Sequence, residues 1–194
     1  MAILRRERAP LAPRRFARLY VPRATLVTAW RFLAEGGARA QEELCFLAGR
    51  IVADADGLAG QVTSCVLPLT QASAGYVTLR SHTQTALILD ALERRREIPL
   101  VTLHTHGDGG WYGGGCEHSA IDDAGVALTP EDGLFSGIVP YYARGSPLGF
   151  VRHTSLYERV DGKWTHLGDD EKERRVLVHD DAVRVVPAPW TATA

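Results

Sequence analysis

The stretch Leu100-Val101-Thr102-Leu103-His104-Thr105-His106, running into Gly107-Asp108-Gly109-Gly110, is where the fold and the chemistry of this chain are decided. Pro99 breaks whatever helix precedes it, and the four apolar or β-branched residues that follow make a short buried strand. Side chains alternate along a strand, so His104 and His106 point to one face. Two imidazoles on one face can grip a single ion. A catalytic zinc uses three protein ligands plus water, so a third ligand has to arrive from another part of the chain.

Working outward toward the C-terminus, residues 107–118 form a Gly-rich loop with six glycines, Trp111, Tyr112, Cys116 and His118. Ser119 then suits the N-cap of a short helix carrying Asp122. That spacing puts a carboxylate and a hydroxyl on one helix face, a turn apart. Asp122 is the best third ligand, and the Ser119 hydroxyl can donate to an oxyanion. Leu134–Pro140 reads as a strand. Gly149–Val160 reads as another, turning through Asp161-Gly162 into Lys163–Leu167.

Toward the N-terminus, Ser81–Glu97 is an amphipathic helix with Ile88, Leu89, Ala91 and Leu92 on its apolar side. Phe16–Val21 reads as a short edge strand. Pro22 opens a helix whose apolar positions are Leu26, Val27, Trp30, Leu33 and Ala34, and Gly36-Gly37 stops it. Glu42–Ala53 is an apolar strand that turns at Asp54–Gly57 into a second, Gly60–Leu69. Glu42 and Glu43 stand at the mouth of that strand, where a charge is expensive without a role or a partner. Either can supply the general base that takes a proton from water and hands it to a leaving amine.

Bulk composition narrows the functional classes. At 194 residues the chain holds one sizeable core, and its 22 basic against 23 acidic residues leave no electrostatic footprint for nucleic acid or an anionic membrane. No apolar run is long enough to span a bilayer. The start is Arg-rich but lacks the apolar stretch of a secretory signal, and reads as a solvated basic arm. Cys45, Cys65 and Cys116 are widely spaced with no C-x-x-C pair, so neither a disulfide framework nor a zinc knuckle is indicated, and a cytoplasmic location is expected.

Taken together, Glu42, Leu47-Ala48-Gly49, His104-x-His106 and Ser119-x-x-Asp122 resemble the JAMM signature of the JAB/MPN zinc metallopeptidases, in a bacterial, deubiquitinase-like form. In that family a Glu lies seven residues before the glycine closing an apolar strand. Glu42 precedes Gly49 by seven, which favours it over Glu43. The resemblance covers the order of elements from about Phe16 to Leu167. It implies an α/β fold of the α+β type, a single cytidine-deaminase-like domain with a central, mostly antiparallel curved sheet flanked by helices. Residues 1–15 would be a basic arm, 16–167 the metallopeptidase domain and 168–194 a C-terminal extension.

Carried over by position, the resemblance implies Zn2+ on His104, His106 and Asp122, Glu42 polarising water, and Ser119 steadying the oxyanion. The implied activity is an isopeptidase or peptidase cutting after the C-terminal tail of ubiquitin or a ubiquitin-like protein. Activating- or conjugating-enzyme-like proteins would be companions, with no nucleic acid or membrane partner. Two departures bear on substrate: Gly107 stands where the family usually has proline, and the loop to His118 is longer than usual. Within that loop, Cys116 or His118 could add a ligand, and Trp111-Tyr112 reads either as an aromatic lid or as a packed surface loop. Two other functions compete. One is a non-catalytic MPN scaffold, although scaffolds generally lose ligands and this chain keeps them. The other is a cysteine hydrolase pairing Cys116 with His104 or His118.

Overall fold

The computed structural model describes residues 15–107, 117–119, 122, 132–180 and 184–186. The apolar run ending in the two histidines is strand β6, Ile98–Thr105, buried along nearly its whole length. It lies between β2 (Leu44–Asp54), antiparallel, and β7 (Phe135–Val139), parallel. Beyond β2 comes β3 (Gly57–Val66), then β1 (Arg18–Pro22) and β10 (Val176–His179). Beyond β7 come β8 (Ser155–Val160) and β9 (Lys163–His166), and β11 (Arg184–Val186) also pairs with β3. Burial along both neighbours explains why β6 reads as continuous apolar sequence rather than as alternation.

Helices cover both faces, and β2 shows why. Leu44, Phe46 and Ala48 pack with Ile88 and Leu92 of α2 (His82–Arg94). The intervening Cys45 and Leu47 join the larger core with Leu26, Ala29, Trp30 and Leu33 of α1 (Arg23–Gly37). Alternation along an extended chain thus sends successive residues to different helices. Ser81 caps α2, its hydroxyl accepting from the Gln84 amide at 3.2 Å. Two shorter helices, α3 (Phe150–His153) and α4 (Asp169–Arg175), contribute Phe150 and the Arg175 side chain to the interior. Among the described residues no helix is long and apolar enough to cross a membrane.

The α+β class stands as expected, but the strand pairing is more mixed than a mostly antiparallel sheet. Among the described residues, four pairings are parallel and four antiparallel in the nine-stranded sheet. The strand expected at an edge near Phe16 is interior, because β10 comes back to pair with it, Leu19 against Val176. Gly149–Val160 is not one strand: Phe150 closes a helical turn and packs edge-on against Trp30, and extended chain starts at Ser155. The Asp161-Gly162 turn is as expected, with φ of 49° and 75°, the two positive values a two-residue hairpin turn needs. A separate hairpin, β4 (Thr70–Ser73) with β5 (Tyr76–Leu79), has no counterpart in the expectations from sequence.

Candidate metal centre

Register builds the site. β2 and β6 run antiparallel with Leu44 opposite His104 and Cys45 opposite Leu103. The pairing continues past the end of β2, since the Thr105 amide donates to the Glu43 carbonyl at 3.0 Å and the Glu43 amide donates to the Thr105 hydroxyl at 2.9 Å. Carried one step further, Glu42 falls opposite His106. Residues directly opposite share a face, so Glu42 joins His104 and His106 while Glu43 faces the other way. The strand thereby chooses between the two glutamates, independently of any family likeness.

His104 Nε2 and His106 Nε2 are 3.2 Å apart, Asp122 Oδ1 is 3.2 Å from the first and Asp122 Oδ2 3.5 Å from the second. Four ligands held about 2.0–2.1 Å from a central ion form a tetrahedron with edges of about 3.3 Å. The three donors therefore already sit at the spacing of three corners, and they are a compact set of potential metal ligands among the described residues. Asp122 is in helical conformation and is set by a reciprocal cap. The Ser119 amide donates to Asp122 Oδ2 at 2.7 Å, and the Asp122 amide donates to Ser119 Oγ at 3.2 Å. Because that oxygen accepts, its own proton stays available to a ligand, and Ser119 is exposed.

Protonation suits cation binding. Burial lowers the His104 pKa, keeping the imidazole neutral despite the pull of Asp122. Burial alone would raise Asp122, but hydrogen bonds with His104 and His106 and the Ser119 amide hold it far below the usual carboxylate range. A neutral imidazole and an ionised carboxylate are the forms that ligate metals. Glu42 is different. Its carboxyl is 7% exposed and is pushed from 4.5 to about 7, chiefly by burial and also by the Asp122 charge, with His106 opposing. A carboxyl poised near neutrality can both accept and release a proton. Glu43 is raised by burial too, but it is committed to Thr70, the Leu44 amide and Arg39.

His118 stands beside the set without joining it. Its ring centre is 6.2 Å from that of His104, and its Nε2 is hydrogen-bonded with the buried Ser136 hydroxyl at 2.7 Å. Its ring lies on Tyr157, 4.2 Å between centres, and its amide donates to the Tyr157 hydroxyl at 3.2 Å. Thr105, Ser136 and Tyr157 carried no role in the sequence reading, and His118 only those of a possible extra ligand or a partner of Cys116. A small hydroxyl residue within an apolar strand, as at 105 and 136, is the one signal that marks them. Trp111, Tyr112 and Cys116 lie outside the described residues.

One backbone feature adjoins the centre. Tyr141, Tyr142 and Ala143 have φ of 52°, 51° and 57°, a left-handed turn closed by bonds from Ala143 N to Pro140 O and Arg144 N to Tyr141 O. Each L-residue in that region costs about 1–2 kcal/mol. Tyr141 is exposed, whereas Tyr142 is buried against the glycine that follows His106.

No family model matches the chain, and no curated protein matches it either. Among solved structures, a protein from Desulfitobacterium hafniense, known in solution, aligns with a TM-score of 0.53 at 13% identity, over 84% of this chain and 94% of its own. A JAB1/MPN domain protein from Archaeoglobus fulgidus aligns with a TM-score of 0.39 at 15% identity, over 83% of this chain and 99% of its own. The first likeness is one of fold alone.

Proposed function

We propose that this chain is a zinc-dependent isopeptidase or peptidase of the JAMM type, acting after the C-terminal tail of a ubiquitin-like protein. The observation that carries the reading is the convergence of His104, His106 and Asp122 at tetrahedral spacing, with Glu42 in register opposite His106. The order of the signature residues along the chain supports it. His104, His106 and Asp122 would hold the ion, and two nitrogens with one carboxylate oxygen suit zinc while leaving a fourth position open. Bound there, zinc supplies Lewis acidity and brings the ionisation of water toward neutral pH.

The protein's own residues do the rest. Glu42, with a pKa of about 7, takes a proton from the attacking water and returns it to the departing amine. Ser119, its oxygen already occupied as an acceptor, has its hydroxyl proton free to meet the developing oxyanion. Thr105 holds the lead-in to β2 so that Glu42 cannot slide away from His106. The basic arm and companion proteins of a conjugation system remain parts of the same proposal.

The test is metal analysis joined to a cleavage assay. Purified protein should retain about one zinc per chain through dialysis and should cut ubiquitin-like fusions at their C-terminal tail, with chelator abolishing cleavage. Loss of zinc on dialysis together with no cleavage of any such fusion would favour the scaffold. Cleavage that ignores chelators but stops on alkylation would favour the cysteine hydrolase.

A further inference from the structure

We propose that Tyr142 is a positioning residue that fixes Glu42 relative to the His106 end of β6. This rests on the reading of Glu42 as the base facing the metal ligands. The Tyr142 amide donates to the His106 carbonyl at 2.9 Å, and the His106 amide donates to Val139 O at 3.1 Å. The Tyr142 hydroxyl donates to Ala74 O at 3.0 Å, in the turn of the β4–β5 hairpin. The neighbouring carbonyl of that turn, Ser73 O, accepts the Glu42 amide at 2.8 Å. A closed circuit results. It runs from His106 through Tyr142 to the hairpin turn, on to Glu42, and across the strand pair back to His106.

The surroundings are cut to fit this one side chain. A Cβ on Gly107 would meet the Tyr142 hydroxyl at 2.6 Å and its Cζ at 2.9 Å, and a Cβ on Gly37 would meet the Tyr142 Cβ at 2.3 Å. Any side chain at 107, a proline ring included, would overlap the tyrosine. That accounts for the glycine found after His106 in this chain. The left-handed turn of Tyr141–Ala143 is the conformation that places ring and amide in these two contacts at once. Strain of this kind persists only where the surroundings over-determine it. The role is distinct from ligation and from proton transfer, since Tyr142 acts on both participants through backbone atoms.

The test is amide hydrogen exchange by NMR on the full-length protein, in chelator and with zinc, for Tyr142→Phe and Gly107→Ala. Losing the hydroxyl bond should speed exchange of the Glu42 amide and of residues 70–79 by about fivefold to tenfold, with 98–105 unchanged. Gly107→Ala, which displaces the ring, should reproduce the pattern. Wild-type exchange at Glu42 in both variants would overturn the proposal, as would uniform acceleration across the sheet, the mark of a merely structural residue. Exchange is read without substrate, and in the chelator arm without metal, so a wild-type protein that cuts nothing would sink the hydrolase reading and leave this one to be decided by its own data. With cleavage established, Tyr142→Phe should lower kcat about tenfold at unchanged zinc affinity.

Discussion

Glu42 and Glu43 are adjacent and both buried, yet one faces the candidate ligands and the other is tied to Thr70 and Arg39. Their exchange of roles with a single step along the strand makes Glu42→Gln the sharpest substitution. It should lower cleavage by about 10²–10⁴-fold while zinc content stays near one per chain. Glu43→Gln should act on stability far more than on rate. A Glu42→Gln protein that cuts normally would remove the carboxylate from the mechanism. His104→Ala should instead lose the metal, read by zinc analysis after dialysis.

The same carboxyl gives a pH dependence with a definite sign. Folding raises the Glu42 pKa from 4.5 to about 7, so the folded state binds its proton more tightly. The stability this group contributes is full below about 4.5 and is lost as pH rises through about 7. In the metal-free protein, Glu42→Gln should therefore raise the thermal midpoint at pH 8 and change it much less at pH 5. An equal shift at both values would refute burial of the charge as the cause.

At the scale of elements, the glycine that closes the apolar part of β2 carries the clearest steric statement. A Cβ on Gly49 would lie 1.9 Å from Gln61 O and 2.8 Å from Val62 Cα, where the pairing with β3 shifts register. Gly49→Ala should destabilise by about 3 kcal/mol, measured by urea unfolding, and a loss under about 1 kcal/mol would mean that the bulge yields freely. The sequence made this element legible because its apolar run is long, as it did α1, α2 and the end of β6. Hairpin β4–β5 stayed hidden: Thr-Gln-Ala-Ser and Ala-Gly are small and polar, and its burial is only partial, so no hydrophobic period marks it. Ser119-x-x-Asp122 was readable because a cap is a local arrangement. The Tyr142 contacts were not, since they depend on three segments meeting and on a backbone conformation that tyrosine does not advertise.

Over the whole molecule, strand order is what periodicity cannot encode, and it decides how the last part of the chain is used. Arg175 bonds bidentately to the fully buried Glu158, with contacts of 2.6 and 2.8 Å, and also reaches the Phe16 carbonyl, while Arg15 joins Glu158 and Glu171. Removing one partner of a buried pair leaves a charge without compensation, which costs about 3–5 kcal/mol. Arg175→Met should lower stability by about that much, and Arg175→Met with Glu158→Leu should recover much of it. A chain ended after Leu167 should fail to give a soluble, cooperatively unfolding product, and one that unfolds as cooperatively as the full chain would show that 168–194 is dispensable.

Because β1 lies between β3 and β10, the ribosome delivers one of the sheet's earliest strands some 150 residues before the strand that shields it. Until Val176–His179 emerges, a growing polypeptide shows a bare row of amides and carbonyls along Leu19–Pro22, to which another nascent copy can zip. Overproduction at high temperature should accordingly yield inclusion bodies, with slow synthesis in the cold as the remedy.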